Sequence, residues 1–455
     1  MKYISRRVII EALDMKQTAS NYLRMDKKTY RIVDTLSFLS KNMYNVGLYN
    51  VRQHFFQTGK YLSYESNYHV SKTNENYSLL HSDNSQQILK MVDRSFRSFF
   101  GLLQAKKDGG LPEDMEVRIP HYLDKNGRFL LIFPAARLRF SDSGSKVSLG
   151  MSIKFKKQHG LKGDELTFNV PAYISPTAIK EIRIAPVHDG KSYKIEYVYD
   201  VMPEEMSLDP NQYLSIDLGL DNFATLVESV DGAATIIDGK HVKSINRYYN
   251  KEMARLQRIK YKQGVEKFTR RQSRITIRRG NQINEFLNRA VNYVVNVCLK
   301  KHIGNIVVGE LKEIKQEINH GKRNNQNFVQ IPYWLFKRKL KGKCQRYGIE
   351  YHEVDEAYTS RTDALNFDEI REQPYDKTRR IERGLYRSIT GVTVNADVNG
   401  SLNIMRKVAD ESIVRRIVGS GLVNRPWRIR LAWETTQQTS PEQNCTQQTV
   451  QATAL

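Results

Sequence analysis

The run Ile306-Val307-Val308-Gly309, closed by Glu310, constrains this chain more than any other feature. It has no polar alternation, so it reads as a fully buried strand at the centre of a sheet. The surrounding sequence supplies the rest of that sheet. YLSIDLGLDNFATLVES and the following DGAATII resemble a three-stranded antiparallel meander, with Asp231-Gly232 as a hairpin turn. Val291, Val294, Val295 and Cys298 have helical spacing and lead into the buried run. Pro332 suits the first turn of another helix, IEYHEV at 349–354 reads as a strand, and NADVNGSLNIMRKV reads as a helix. The expectation is an α/β domain over the C-terminal half.

The N-terminal half has a different pattern. Val8, Ile9 and Ile10 suggest one strand, after which residues 28–106 carry helical periodicity. Examples are Leu36, Leu39, Met43 and Val46, and Ile88, Met91, Val92, Phe96 and Phe99. Residues 115–205 hold short apolar or alternating runs separated by turn signals: 129–133, 147–155, 166–170, 179–187 and 193–201. Strands at that spacing predict a β-barrel. The acid-rich link MPEEMSLDP at 202–210 marks a boundary.

A chain of 455 residues with 40% hydrophobic content folds as more than one domain. Its formal net charge of +23 implies a polyanionic partner, with nucleic acid as the default. A membrane surface is the rival, but no lipid-facing amphipathic helix stands out and no run approaches the roughly 20 apolar residues of a membrane helix, so no membrane partner is expected. The N-terminal apolar stretch is too short for a signal peptide and meets Glu11, so a cytoplasmic location is expected. Cys298, Cys344 and Cys445 are too few and too scattered for a disulfide framework or a zinc ribbon.

Three carboxylates stand at the ends of three elements. Asp217 alternates with Leu214, Ile216 and Leu218 and points away from their face. Glu310 ends the central strand, where α/β sheets place their sites. Asp397 begins a helix whose buried face is Val398, Leu402, Met405 and Ala409, and helix capping alone accounts for an Asp there. Taken together the three match a ribonuclease H-like layout. Three such carboxylates suit two Mg²⁺ ions about 3.5–4 Å apart, one activating water and the other stabilising a leaving 3′ oxygen.

At these residues the sequence resembles the TnpB family, the RNA-guided endonucleases of insertion sequences and relatives of the type V CRISPR effectors. The resemblance rests on SIDLGLDNFATLV, SINRYYNKEMARLQ, NIVVGELKEIKQ, INHGKRNNQNFVQIPYWLFKRKL, YTSRTDAL, RRIERGLYRS and NADVNGSLNIMRKV. It implies a RuvC-type, ribonuclease H-like nuclease domain with an N-terminal wedge β-barrel and an inserted helical recognition module. The expected organisation is barrel at 1–27 and 111–205, recognition module at 28–110, and nuclease domain at 206–358 with a basic helical segment at 240–302. A target-nucleic-acid-binding loop at 359–394, the final nuclease helix at 395–431 and a disordered tail at 432–455 complete it. The resemblance makes Asp217, Glu310 and Asp397 the catalytic, Mg²⁺-holding triad. It implies a guide RNA from the transposon end, target double-stranded DNA with a short adjacent motif, and DNA cleavage; apart from the resemblance, a monomeric protein is the default expectation.

Residues 240–280 hold 14 Lys or Arg against two acids. On this resemblance they contact the heteroduplex backbone through Lys251, Arg255, Arg258, Arg270, Arg271, Arg274, Arg278 and Arg279. One departure stands out. Many members carry a CxxC…CxxC zinc finger in the insertion, whereas 359–394 has no Cys and no His, and Thr362 and Asp363 stand in the first cysteine region. A zinc-free loop is expected, with Arg379, Arg380, Arg383 and Arg387 facing phosphates. The rival readings are an RNA-guided repressor without cleavage, a strand-transfer transposase, a junction resolvase, and a basic RNA-binding protein with structural acids.

Overall fold

The computed structural model describes residues 15–163, 166–310, 330–372, 377–382, 384–431 and 452–454. The strand expected at Val8–Ile10, the motif stretch at 311–329, Arg383 and Cys445 lie outside the described residues. The chain forms two compact units, Met1–Met202 with Lys267–Ser273, and Pro203–Glu266 with Arg274–Leu455. The first division falls a few residues before the 205/206 boundary read from the link.

In the first unit, β1 (Lys16–Tyr22) precedes four helices: α1 (Lys27–Thr58), α2 (Tyr64–Ser71), α3 (Glu75–Leu79) and α4 (Ser82–Lys107). Asp26 caps α1 by accepting from the Thr29 N–H at 2.7 Å. The apolar stripes of α1 and α4 meet through Leu36, Met43, Leu48, Ile88, Leu89 and Phe96, all buried. The strands that follow are β2 (Leu131–Pro134), β3 (Leu138–Phe140), β4 (Lys146–Leu149), β5 (Thr167–Asn169), β6 (Ile179–Val187) and β7 (Ser192–Asp200), with α5 (Ile153–Gln158) between β4 and β5. They form two antiparallel sheets, β1-β7-β6-β2 and β3-β4-β5, where a single barrel was expected. One local reason is visible in the run at 147–155. Ser152 accepts from the Phe155 N–H and starts a helix, which ends the strand early.

The second unit is built on a mixed sheet. The meander is β8 (Asp209–Leu218), β9 (Asn222–Glu228) and β10 (Ala234–Asp238), followed by α6 (Lys240–Lys262), α7 (Arg270–Lys300), β11 (Ile303–Glu310), α8 (Tyr333–Tyr347) and β12 (Glu350–Asp355). After the insertion, with β13 (Arg380–Glu382), β14 (Leu385–Arg387) and β15 (Thr393–Asn395), come α9 (Ala396–Arg406), α10 (Glu411–Ser420), β16 (Trp427–Ile429) and β17 (Ala452–Ala454). The strand order is β12-β11-β8-β9-β10-β16-β17. β8, β11 and β12 are mutually parallel, while β8, β9 and β10 are antiparallel. β11 is not the middle strand that its apolar run suggests but lies one strand in from the β12 edge; pairing with β12 and β8 and helices packed on the sheet still leave its Ile306, Val307 and Val308 fully buried. One apolar cluster joins the sheet to α7 and α8 through Leu214, Ile216, Phe286, Val294 and Phe336. A second joins it to α9 and α10 through Val227, Val398, Leu402 and Ile417.

Three expectations change. The basic stretch 240–280 is not one helix: Gly264, at φ 61°, breaks it, and the buried Lys260 ammonium donates to the Glu266 carbonyl across the break. The tail is not wholly without structure, because Ala452–Ala454 pairs with Trp427–Ile429, whose outer edge otherwise presents unpaired backbone. α9 is buried nearly all round, including Asn399, Ser401 and Asn403, because those polar side chains have partners: Asn399 and Asn403 donate to the carbonyls of Thr362 and Thr359.

Candidate active site

β8, β11 and β12 are parallel, so their carboxyl ends lie at one edge of the sheet, and each meets an acid there. Asp217 is the penultimate residue of β8, Glu310 closes β11, and Glu356 directly follows β12. This edge is where open α/β sheets place their sites. α9 adds Asp397 in its first turn. Asn395 is the capping residue and accepts from the Asp397 N–H at 3.0 Å, so the Asp397 carboxylate is not engaged in capping.

Asp217 lies tight against α9. A Cβ on Gly400 would stand 2.6 Å from Asp217 Oδ2, so the helix approaches this closely only because residue 400 is glycine. Two residues earlier in β8, the Ser215 and Ser401 hydroxyls are 2.9 Å apart and tie the same strand to the same helix. Asn222 Nδ2 donates to Asp397 Oδ2 at 2.7 Å, and the Tyr333 hydroxyl donates to the Gly219 carbonyl at 2.7 Å.

Register separates the two glutamates. Val308 pairs with Ile216, so strand alternation places Gly309 beside Asp217 and assigns Glu310 to the face of Val308 and Leu218. The space over Gly309 holds Glu356, whose Oε1 a Cβ at 309 would strike. Sequence reasoning passed over Glu356, although the argument that selected Glu310 applies equally to an acid just beyond IEYHEV.

Burial pushes the Asp217 carboxyl well above the ordinary carboxylate range, and the charges of Glu356 and Asp397 push it further. The Arg380 guanidinium pulls it back. Burial likewise pushes Glu356 up to about 7. Its Oε1 is out of reach of solvent and without a hydrogen-bond partner among the described residues. Crowded, desolvated carboxylates with an oxygen left unmatched are the setting a hard divalent cation relieves, and an all-oxygen donor set suits Mg²⁺ over zinc. Among the described residues, no group of three or more His, Cys, Asp or Glu side chains is already arranged to hold an ion.

Of the expected nucleic-acid contacts, Lys251, Arg258, Arg270, Arg271, Arg274 and Arg278 are exposed on α6 and α7. Arg255 pairs with Glu252. Arg279 is drawn inward, donating to Asn246 and to the Gln330 carbonyl with its guanidinium over the Tyr249 ring. In the insertion Arg380 and Arg387 are exposed on β13 and β14, while Arg379 is an internal anchor bridging Asp363, Asp368 and the Tyr386 hydroxyl.

That anchor explains how a cysteine-free insertion holds its shape. Asp363 is fully buried and accepts from the backbone N–H groups of Leu365, Asn366 and Ile389 at 3.1, 3.2 and 2.9 Å, with Arg379 at 3.5 Å. One carboxylate therefore joins both arms of the insertion. Asp363→Ala leaves three donors unmatched and should ease local opening by a few kcal/mol. The expected readout is faster tryptic cleavage near Arg379–Arg387 and lost exchange protection at Ile389. Unchanged proteolysis, or stoichiometric zinc in the purified protein, would contradict this account.

Comparison with known proteins agrees with the geometry. Residues 196–315 match the OrfB_IS605 family, described as a probable transposase, and residues 333–404 match the Cas12f1-like TNB domain. Asp217 and Glu310 fall in the first match, and Glu356 and Asp397 in the second. A TnpB-like protein, ORF457, of Acidianus two-tailed virus is 26% identical over 407 residues, covering 84% of this chain and 83% of that protein. A cryo-EM structure of a Cas12f1–sgRNA–target DNA complex shares the fold, with a TM-score of 0.50, 16% identity and 83% of each chain covered. No helix among the described residues is long and apolar enough to cross a membrane. With both halves of the carboxylate-bearing unit matched in this way, the chain is a TnpB-family relative of the type V effectors.

Proposed function

We propose that this protein is an RNA-guided DNA endonuclease of a transposable element, with a RuvC-type site at the carboxyl edge of β8, β11 and β12. The observation that carries the reading is the meeting of Asp217 and Asp397 across the β8–α9 contact, with Glu356 beside them and Glu310 at the neighbouring strand end. The five-strand order β12-β11-β8-β9-β10, parallel on one side of β8 and antiparallel on the other, supports a ribonuclease H-like reading of this unit. The Cas12f1 relative is held with a guide RNA and target DNA, and its likeness in fold supports those two classes of partner here.

Asp217 and Asp397 would hold the ions, with Glu310 or Glu356 as the third ligand. Two Mg²⁺ ions bound there would supply an activated water and stabilise the leaving 3′ oxygen in hydrolysis of the phosphodiester. The chain itself contributes placement. The β8–α9 contact fixes the aspartates, and Arg380 brings positive charge towards the carboxylates from the insertion. The exposed cations of α6 and α7 supply phosphate contacts, which position without reading sequence.

Gly400→Ala tests the placement. The added methyl must displace the Asp217 carboxylate or the helix, and a misplacement near 1 Å costs on the order of 10²-fold in rate. Alanine also favours the helix by up to ~1 kcal/mol, so the melting temperature should hold while cleavage falls. Equal cleavage by the two proteins would contradict the placement.

The test of function begins with expression alongside the DNA that flanks the gene, and sequencing of any RNA that co-purifies. A discrete RNA, with Mg²⁺-dependent cleavage of a plasmid library only where the target matches it, is the expected result. A discrete RNA with binding but no cleavage favours the repressor. No RNA at all removes the guided mechanism.

A further inference from the structure

We propose that Asn222 is a positioning residue for Asp397, holding one carboxylate oxygen so that the other is presented to a divalent cation. The assignment rests on the ion-site reading above and extends it to a residue that is itself no metal ligand.

An ionised carboxylate only accepts hydrogen bonds, so the side-chain amide that meets Asp397 Oδ2 at 2.7 Å must offer its Nδ2. A carboxylate on a helix's first turn has rotational freedom that such a bond removes. The bond is useful only if Asn222 is itself fixed, and three features fix it. The pairing of β9 with β10 slips by one residue here: Ile237 faces Ala224, but Asp238 faces Asn222, which leaves Phe223 as the extra residue of a bulge. Bulges of this kind re-aim side chains beside functional sites. The Phe223 ring is fully buried against Phe286, Phe336 and Tyr333, with centroids 4.9, 5.2 and 5.9 Å away. The turn between Asp217 and Asn222 is closed by the Gly219 N–H donating to the Phe223 carbonyl at 3.2 Å, while Tyr333 holds the Gly219 carbonyl. The same short turn thus connects the strand carrying Asp217 to the residue that orients Asp397. Partners that orient a metal's ligands in this way govern affinity as well as rate.

The experiment uses the full chain with its co-purified RNA and Mn²⁺ as the probe, counted by EPR. RNA binds Mn²⁺ too, so the protein's sites are read as the excess over an Asp217→Ala complex carrying the same RNA. Asn222→Ala should weaken that excess binding by about tenfold or more. It should also raise the Mg²⁺ concentration for half-maximal cleavage more than it lowers the rate at saturating Mg²⁺. Asn222→Ser, which keeps a donor, should recover part of the affinity. Asn222→Asp, which sets a like charge against Asp397, should fall below Asn222→Ala. Mn²⁺ affinity equal to wild type in Asn222→Ala overturns the assignment. So does an equal loss in the alanine, serine and aspartate variants accompanied by a lower melting temperature, since that pattern marks a fold contact. A wild-type complex with no excess Mn²⁺ over Asp217→Ala overturns the ion-site reading, and the role of Asn222 with it.

Discussion

Asp217→Ala should reduce guided DNA cleavage by at least about a thousandfold while leaving RNA binding and target recognition intact. Removing a group that acts only at the reacting centre lowers rate without lowering substrate affinity. Asp217 fits that description because its carboxyl is enclosed by Gly400, Glu356 and Asp397 and carries no positive charge with which to hold a phosphate. Losing it removes a buried charge that the metal-free fold must otherwise tolerate, so the protein should melt no lower than wild type and somewhat higher above neutral pH. The check is a cleavage time course beside a binding assay on the same guide-matched duplex. Retained cleavage would show that the reaction runs elsewhere in the molecule.

The second large effect is a pH dependence of stability that a divalent cation reverses. Asp217 and Glu356 bind protons more tightly in the folded protein than in the unfolded chain, Glu356 up to about pH 7. Their contribution to stability is therefore fully present below the ordinary carboxylate range. It is lost as pH rises towards and through about 7, because the folded state then carries carboxylates pressed together in their charged form. At ~1.4 kcal/mol for each unit of displacement, the metal-free protein should lose a few kcal/mol between pH 5 and pH 8. Mg²⁺ competes with those protons, so its stabilising effect should be larger at pH 8 than at pH 5. Scanning calorimetry across that range, with and without Mg²⁺, checks both halves. Asp217→Asn should flatten the slope, and a slope unchanged in that variant would place its origin at other groups.

Much of the second unit was legible because period and punctuation are strong there. The buried run at 306–308, the Asp231-Gly232 turn and the amphipathic spacing of α7 correspond directly to β11, the β9–β10 connection and a helix against the sheet. Asp217 and Asp397 could be named because each sits where an apolar pattern leaves a carboxylate facing the wrong way or starting a helix. Glu356 follows its strand much as Glu310 ends β11, but which of the two acids stands beside Asp217 depends on register, which a sequence does not display. Only the pairing of Val308 with Ile216 reveals that a glycine stands beside Asp217 and that the next strand's acid fills the gap. The same holds for Arg379 and Arg279, which read as surface cations in a basic sequence but have tertiary partners. In the first unit, strands were visible as short alternating runs, but a hydroxyl cap at Ser152 decided locally where one of them stopped. How those strands divide into two sheets is set by long-range pairing that short runs do not specify.

The most direct test of the account is reprogramming. The RNA that co-purifies is replaced by one whose guide segment is changed and whose remaining sequence is kept. The purified complex is then given Mg²⁺ and plasmids carrying either the original or the new target beside the same flanking motif. Cleavage should move to the new target and leave the original uncut. Cleavage that stays at the original site, or that appears at both plasmids equally, would contradict guidance by RNA.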